Sequence, residues 1–162
     1  MKNLRLKTML FLYDFSSKLY AKLFKFNQEP WGLTKEDLNQ FPVGSLGKEM
    51  ANFYYSNGFD VMPKLENHDV FHIITNTGTE IQDEIAMQYL LFGNGKVSLY
   101  LLAMIFIGTT LYPEYLSYFR ANYYKGKSFA RFYDVEYKDL LNENLIFLQD
   151  KISLQKLPRP II

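Results

Sequence analysis

The sequence predicts an all-α fold: a single-domain bundle of about seven or eight helices with a buried uncharged helix at its centre. Three observations carry that expectation. Apolar residues recur at helical spacing nearly throughout, and no segment shows the period-two alternation bounded by turns that marks a half-buried strand. Helix start and stop signals such as Thr34, Ser45, Gly58 and Pro113 punctuate the chain. Finally, 162 residues is the size of one ordinary domain, and there is no internal repeat and no linker long enough to divide two domains.

The first helix is expected over about Leu4 to Lys25, with Leu6, Met9, Leu10, Tyr13, Leu19, Leu23 and Phe24 among its apolar positions. Residues 1–26 hold Lys2, Arg5, Lys7, Lys18, Lys22 and Lys25 against the single acid Asp14, so this is a basic amphipathic helix. Such a helix presents either a solvated face or a peripheral membrane anchor. Its apolar run is short, is interrupted by Asp14 and is followed by no small-residue cleavage site, so a secretion signal is not expected. Pro30, Trp31 and Gly32 break the chain, and Thr34 with Asp37 reads as a capping box for a short helix to Gln40. Ser45 caps a helix through Met50, Phe53 and Tyr54 to Asn57, ended by Gly58.

Two helices then flank the turn Asn76-Thr77-Gly78, with Thr79 and Gln82 read as the second helix's capping box. The run from Val97 to Pro113 carries no charge, is shorter than the roughly 20 residues a membrane span needs, and is read as a buried core helix. A membrane-dipping hairpin or a cavity wall is the functional alternative for that run. Pro113 restarts a helix to about Tyr124, and Gly126 ends it. A last helix is expected from Ser128 to about Leu148, turning Phe129, Phe132, Tyr133, Leu140, Leu141 and Leu148 inward. Residues 152–162 form an extended tail, because the prolines of LPRPII forbid a helix there.

Composition excludes several functions. Lys and Arg number 18 against 17 acids, a net charge of +1, so no whole-surface field favours nucleic acid as a partner. The chain has no cysteine, which rules out disulfides and thiolate ligands, so a metal would be held by His, Asp, Glu or water. The 13 Tyr, 14 Phe and one Trp either fill a core with large rings or line a long apolar cavity or membrane-facing surface.

The chain's two histidines both fall in HDVFH. On a helix, positions 68, 69 and 72 point at about 0°, 100° and 40° around the axis, so His68, Asp69 and His72 share one face. A histidine pair at i, i+4 lets one helix grip a metal, as in the zinc motif with Glu after the first His, although Asp69 has a shorter arm. A further ligand must come from elsewhere, and Glu80, Asp83 and Glu84 across the turn are the nearest candidates. Spacing does not choose among them. The alternative makes Asp69 a first-turn acid and His72 a core histidine bonded to a carbonyl.

The run HDVFHIITNTGTEIQDE fits the pattern His-Asp, two residues, His, eleven residues, Glu. It resembles the signature of the Coq-four family of coenzyme Q (ubiquinone) biosynthesis proteins. The resemblance implies His68, Asp69, His72 and Glu84 as metal ligands and catalytic residues. FPVGSLGKEMANFY is similar to the family's Pro-x-Gly-Thr-Leu-Gly helix start, and Tyr89 stands where the family usually has tryptophan. The likeness covers about residues 30 to 140. Asp83 replaces the glycine usual before the last acid, Gln88-Tyr89 a Lys-Trp pair, and Tyr137-Lys138 a Trp-Glu pair; these departures concern the substrate rather than the metal ligands.

What the resemblance implies is a divalent metal, Zn2+, in a helical protein that binds a polyprenyl quinone precursor or other isoprenoid lipid. The implied reaction is the C1 (oxidative) decarboxylation of a polyprenylated hydroxybenzoate. The residues from Tyr89 to Tyr112 would form part of the tunnel for the isoprenoid tail, and Asp69 would be either a ligand or a residue orienting a histidine. The implied setting is a homodimer in the bacterial cytoplasm, peripheral on the inner face of the membrane, with other quinone-biosynthesis enzymes as partners. A non-catalytic polyprenyl-lipid-binding scaffold for those enzymes is the second reading. A metal phosphohydrolase built on the His-Asp pair ranks last, because that class needs a second, distant His and this chain has none.

Overall fold

The computed structural model describes residues 29–154. The basic helix expected over residues 1–26 and residues 155–162 of the expected tail lie outside them, whereas residues 152–154, expected to be extended, continue the last helix, which runs to Leu154, ahead of the prolines. Among the described residues there are seven α-helices and no strand: α1 Lys35–Asn39, α2 Leu46–Asn57, α3 Glu66–Thr75, α4 Ile81–Gly93, α5 Leu99–Leu111, α6 Leu116–Ser128 and α7 Leu145–Leu154. Short 3-10 turns span Pro113–Tyr115 and Tyr137–Leu140. The expected all-α domain is therefore present.

The first helix boundaries follow the local chemistry. The Thr34 hydroxyl accepts the Asp37 amide at 3.1 Å while Asp37 accepts the Thr34 amide at 2.9 Å, so two orphan donors at the start of α1 are satisfied reciprocally. The Ser45 hydroxyl caps α2 through the Lys48 amide, and Gly58 ends it with φ +67°. The start of α4 differs from expectation by one residue. Glu80, still extended, is the N-cap, and Asp83 reaches back to the Glu80 amide at 3.2 Å; Thr79 instead donates to Asn57.

The helix buried at the centre is α4 and not the uncharged α5. Ile85, Ala86, Met87, Gln88, Leu90 and Leu91 are all buried, and α4 feeds both core clusters. In α5 only Leu101, Met104 and Gly108 are buried, whereas Leu99 is 80% and Phe106 72% exposed. Lack of charge makes a helix willing to be buried, but burial on every side requires neighbours on every side. Here α5 has one face against α4, with Gly108 so close that a Cβ would stand 2.7 Å from Ile85. No single helix among the described residues is long and apolar enough to cross a membrane. Leu99–Leu111 with Pro113–Ser128 passes by length and composition only as a pair bent by 104°.

Two further expectations are corrected downstream. Gly126 does not end α6 but sits inside it, where its missing side chain lets the backbone press against Leu90. Residues 129–144 are loop and 3-10 turn rather than the start of a long helix, because their backbone groups are spoken for. The Asn94 side chain donates to the carbonyls of Gly126 and Ala130 at 3.1 and 2.9 Å and accepts the Phe132 amide at 3.0 Å. The carbonyls of Leu141 and Glu143 accept the Gly47 and Leu46 amides at the start of α2. Of the six residues expected to point inward, Phe132, Leu141 and Leu148 are buried, and Phe129, Tyr133 and Leu140 pack partly buried against the same core.

Candidate metal centre

Helix α3 opens without a side-chain cap and carries His68, Asp69 and His72 in the arrangement the helical repeat dictates. Asn76 ends it in the left-handed region at φ +49°, and the following loop swings the first turn of α4 over that face. Glu84 is the acid this brings in. His68 Nε2 stands 3.5 Å from Glu84 Oε2, and His72 Nε2 stands 3.3 Å from Glu84 Oε1. One ligand atom from each of His68, His72 and Glu84 lies within 4.8 Å of the others.

Of the other candidate acids, Glu80 is the exposed N-cap of α4 and lines the same cavity without joining the cluster. Asp83 accepts the Tyr118 hydroxyl at 2.8 Å as well as the Glu80 amide, which accounts for an acid at that position in this chain. Asp69 is outside the three-residue cluster: its Oδ1 lies 3.7 Å from His68 Nδ1, and its Oδ2 accepts the Tyr54 hydroxyl at 2.7 Å. Tyr54 is buried, and its hydroxyl is pushed well above the usual tyrosine range, first by burial and then by the Asp69 charge, so it remains a neutral donor.

The tautomer of His72 follows from its partners. Nδ1 faces the carbonyls of Thr77 at 3.2 Å and Gly78 at 2.9 Å, which can only accept, so Nδ1 carries the hydrogen and Nε2 is left with a lone pair aimed at the cluster. This is the carbonyl-fixed orientation that metal-binding histidines use. Phe53 stacks on the ring at 6.0 Å and completes its support. The donor set thus fits a divalent cation: two imidazole nitrogens and a carboxylate, with at least one imidazole locked in the required tautomer.

Without a metal, the Glu84 carboxylate faces His72 Nε2 at 3.3 Å. Burial opposes the His72 cation, but the Glu84 carboxylate, then Asp69 and the Thr77 carbonyl, outweigh it and raise the pKa above the ordinary 6.5. A raised folded-state pKa contributes stability that is complete below the unfolded value and is lost as pH rises through the folded one. The metal-free protein should therefore show a Tm that falls as pH is raised from about 6.5. A His72→Gln variant followed by calorimetry in chelator should lose that slope.

Above the cluster opens a cavity of about 680 Å³ whose apolar wall is Phe53, Phe59, Met62 and Ile81, with His68, His72 and Glu84 lining it. The wall expected from Tyr89 to Tyr112 is not part of it. Tyr89 instead bonds Thr109 at 2.7 Å and stacks on Phe119, knitting α4 to its neighbours. Nothing in the spacing of residues 53–62 pointed to a cavity. Phe59 and Met62, half-exposed apolar residues in a loop between two helices, were its one visible sign. Tyr137 and Gln88 are buried too, Tyr137 donating to the Phe132 carbonyl at 2.9 Å.

A family model described as coenzyme Q (ubiquinone) biosynthesis protein Coq4 matches residues 61–158, a span that contains the whole cluster. Among solved structures, the chain is similar to a crystal structure from Nostoc punctiforme PCC 73102 described as a provisionally assigned ubiquinone biosynthesis protein. The two share 17% sequence identity with a TM-score of 0.60 over 94% of this chain and 81% of that chain, a likeness of fold. No curated protein matches the chain.

Proposed function

From the premise that this chain belongs to the Coq4 family and so takes part in ubiquinone biosynthesis, we propose that it is a metal-dependent decarboxylase of a polyprenylated hydroxybenzoate precursor. The observation that carries the reading is the convergence of His68, His72 and Glu84 at one end of a large, apolar-walled cavity. Zinc is the ion of choice. Two imidazole nitrogens and a carboxylate, with room left for a further ligand, are a donor set that zinc accepts.

His68, His72 and Glu84 would hold the ion, which supplies Lewis-acid polarisation of a carboxylate or phenolate oxygen when bound. The chain's own residues do the rest. Phe53, Phe59, Met62 and Ile81 take the ring and the first part of the tail out of water, and a dry wall strengthens each charge interaction within it. The Thr77 and Gly78 carbonyls hold His72 in the tautomer that leaves Nε2 available. Loss of carbon dioxide breaks the C1–carboxylate bond and leaves an electron pair at C1 that takes a proton from solvent.

The test is metal analysis of the purified protein, native mass spectrometry for bound lipid, and conversion of a prenylated 4-hydroxybenzoate by the zinc-loaded chain. Stoichiometric zinc with release of carbon dioxide supports the reading. Stoichiometric zinc without conversion supports the scaffold reading, and absence of zinc sinks the metal centre.

The scaffold reading has its own observation, the outer face of α5. Leu99, Leu102 and Phe106 lie on one side of an uncharged helix and are exposed. Both readings place the chain at a membrane surface, as a homodimer among other quinone-biosynthesis enzymes at the inner face of a bacterial membrane. Phe106→Asp should leave the thermal midpoint nearly unchanged, because the side chain is 72% exposed. A phenylalanine inserted in lipid is worth about 1.5–3 kcal/mol, so vesicle co-sedimentation should weaken about tenfold or more. Unchanged sedimentation would remove α5 from the membrane face.

A further inference from the structure

The cavity above the metal centre has one thin side. Gly58 to Leu65 connect α2 to α3, and this loop places Phe59 and Met62 on the cavity wall, each 41% exposed. Val61 and Pro63 of the same loop line a second hollow, of about 360 Å³, that also reaches Pro30, Thr34 and Glu66. A wall packed on both sides is fixed by close contacts, whereas a wall with open space behind it has somewhere to go. Both ends of the loop carry the backbone conformation such a movement turns on. Gly58 lies at φ +67° and Lys64 at φ +71°, a left-handed region that an ordinary side chain disfavours. Hinges are a few positions of this kind at the ends of elements.

One side chain from α1 holds the loop in place. Lys35 Nζ pairs with Asp60 Oδ1 at 2.7 Å, donates to the Phe59 carbonyl at 3.1 Å and stands 5.5 Å above the Tyr55 ring. The post that carries it is firm: the Thr34 and Asp37 capping box fixes the start of α1, and the Tyr55 hydroxyl ties α2 to Glu36 at 3.3 Å. Val61 packs half-buried against the main core, which makes the closed position the resting one. The Asp60 side chain is 90% exposed, and an ion pair so placed favours one position without locking it. We infer that residues 58–65 are a gate to the cavity, swinging on Gly58 and Lys64 into the hollow behind, and that Lys35 is the latch that keeps it shut. The inference rests on the proposed reading of the cavity as the site of a prenylated substrate, and it assigns the control of entry to a residue outside the 68–84 segment.

The experiment uses the full chain as purified. Hydrogen exchange read by mass spectrometry follows residues 59–64 with no ligand present, and stopped flow gives the association and dissociation rates of a prenylated 4-hydroxybenzoate. Lys35→Met keeps the stem and removes the charge and its donors. It should speed exchange in that segment about 3–10-fold and raise both rates by a similar factor, with exchange in α4 unchanged. The Kd should move less than about twofold, because the latch acts on the closed gate with and without ligand. Lys35→Arg, which retains charge and donors, should restore the wild-type rates. Unchanged exchange in Lys35→Met, or faster exchange with an unchanged dissociation rate, would overturn the inference while leaving the binding reading intact. Should Lys35→Met fail to fold, Asp60→Asn decides: a dissociation rate raised about 2–5-fold supports the latch, and an unchanged one overturns it. Dissociation is the readout there because a charge at a cavity mouth steers association. A wild-type chain that binds no prenylated probe is the separate outcome that fails both.

Discussion

The His68→Ala, His72→Ala double variant should lose bound zinc outright and with it any conversion of a carboxylated quinone precursor. The reason is the size of the contribution. Zinc sites in small proteins bind with apparent free energies of about 10–16 kcal/mol at neutral pH, and this pair supplies two of the three converging donors. Removing on the order of half of that energy weakens binding by about four decades or more, beyond the reach of a chelator assay. Inductively coupled plasma mass spectrometry of the purified variant checks it, and retained stoichiometric metal would end the assignment.

The single variants separate the two functional readings. His72→Ala should abolish conversion if the centre is catalytic, whereas a scaffold would keep binding lipid and recruiting partners unchanged. Because His72 is 3% exposed and donates to the Gly78 carbonyl, its loss leaves a void and an unmet acceptor, so circular dichroism must accompany the assay. His72→Gln is the milder companion, retaining an amide that can reach the same carbonyl.

Gly126→Ala should produce one of the two largest losses of stability of any glycine-to-alanine change among the described residues, with Gly93→Ala the other. A Cβ at Gly126 would stand 1.9 Å from the Leu90 carbonyl oxygen, and one at Gly93 would stand 2.0 Å from that of Tyr123. Both obstacles are backbone within a helix, so no rotamer change relieves them and α4 and α6 must move apart. Overpacking of this kind costs about 1–3 kcal/mol where side chains can adjust, and here the upper end or more is expected. Denaturant unfolding measures it directly. Since α4 also carries Glu84, the same variant should weaken zinc binding although residue 126 touches no ligand. An unshifted midpoint would mean that the helices do not meet where the glycines indicate.

Local chemistry was legible wherever neighbours in sequence settle it. The Thr34 and Asp37 capping box, the Ser45 cap, the Gly58 stop and the placing of His68, Asp69 and His72 on one helix face each depend on residues at most four positions apart, so the sequence alone determined them. The choice of Glu84 over Glu80 and Asp83 was not legible from spacing. It depended on which acids the helix start and Tyr118 would claim, and the family pattern had to stand in for that information. Only the tertiary structure decided that α4 rather than α5 is buried, that residues 129–144 stay irregular, that Asp69 turns toward Tyr54, and that the cavity wall comes from α2 and the loop after it. Each of these depends on contacts between segments tens of residues apart: Asn94 with residues 126–132, Gly126 with Leu90, Tyr54 with Asp69. An uncharged stretch records only what a helix can tolerate, whereas burial and orientation are settled by which partners arrive and which polar groups they satisfy.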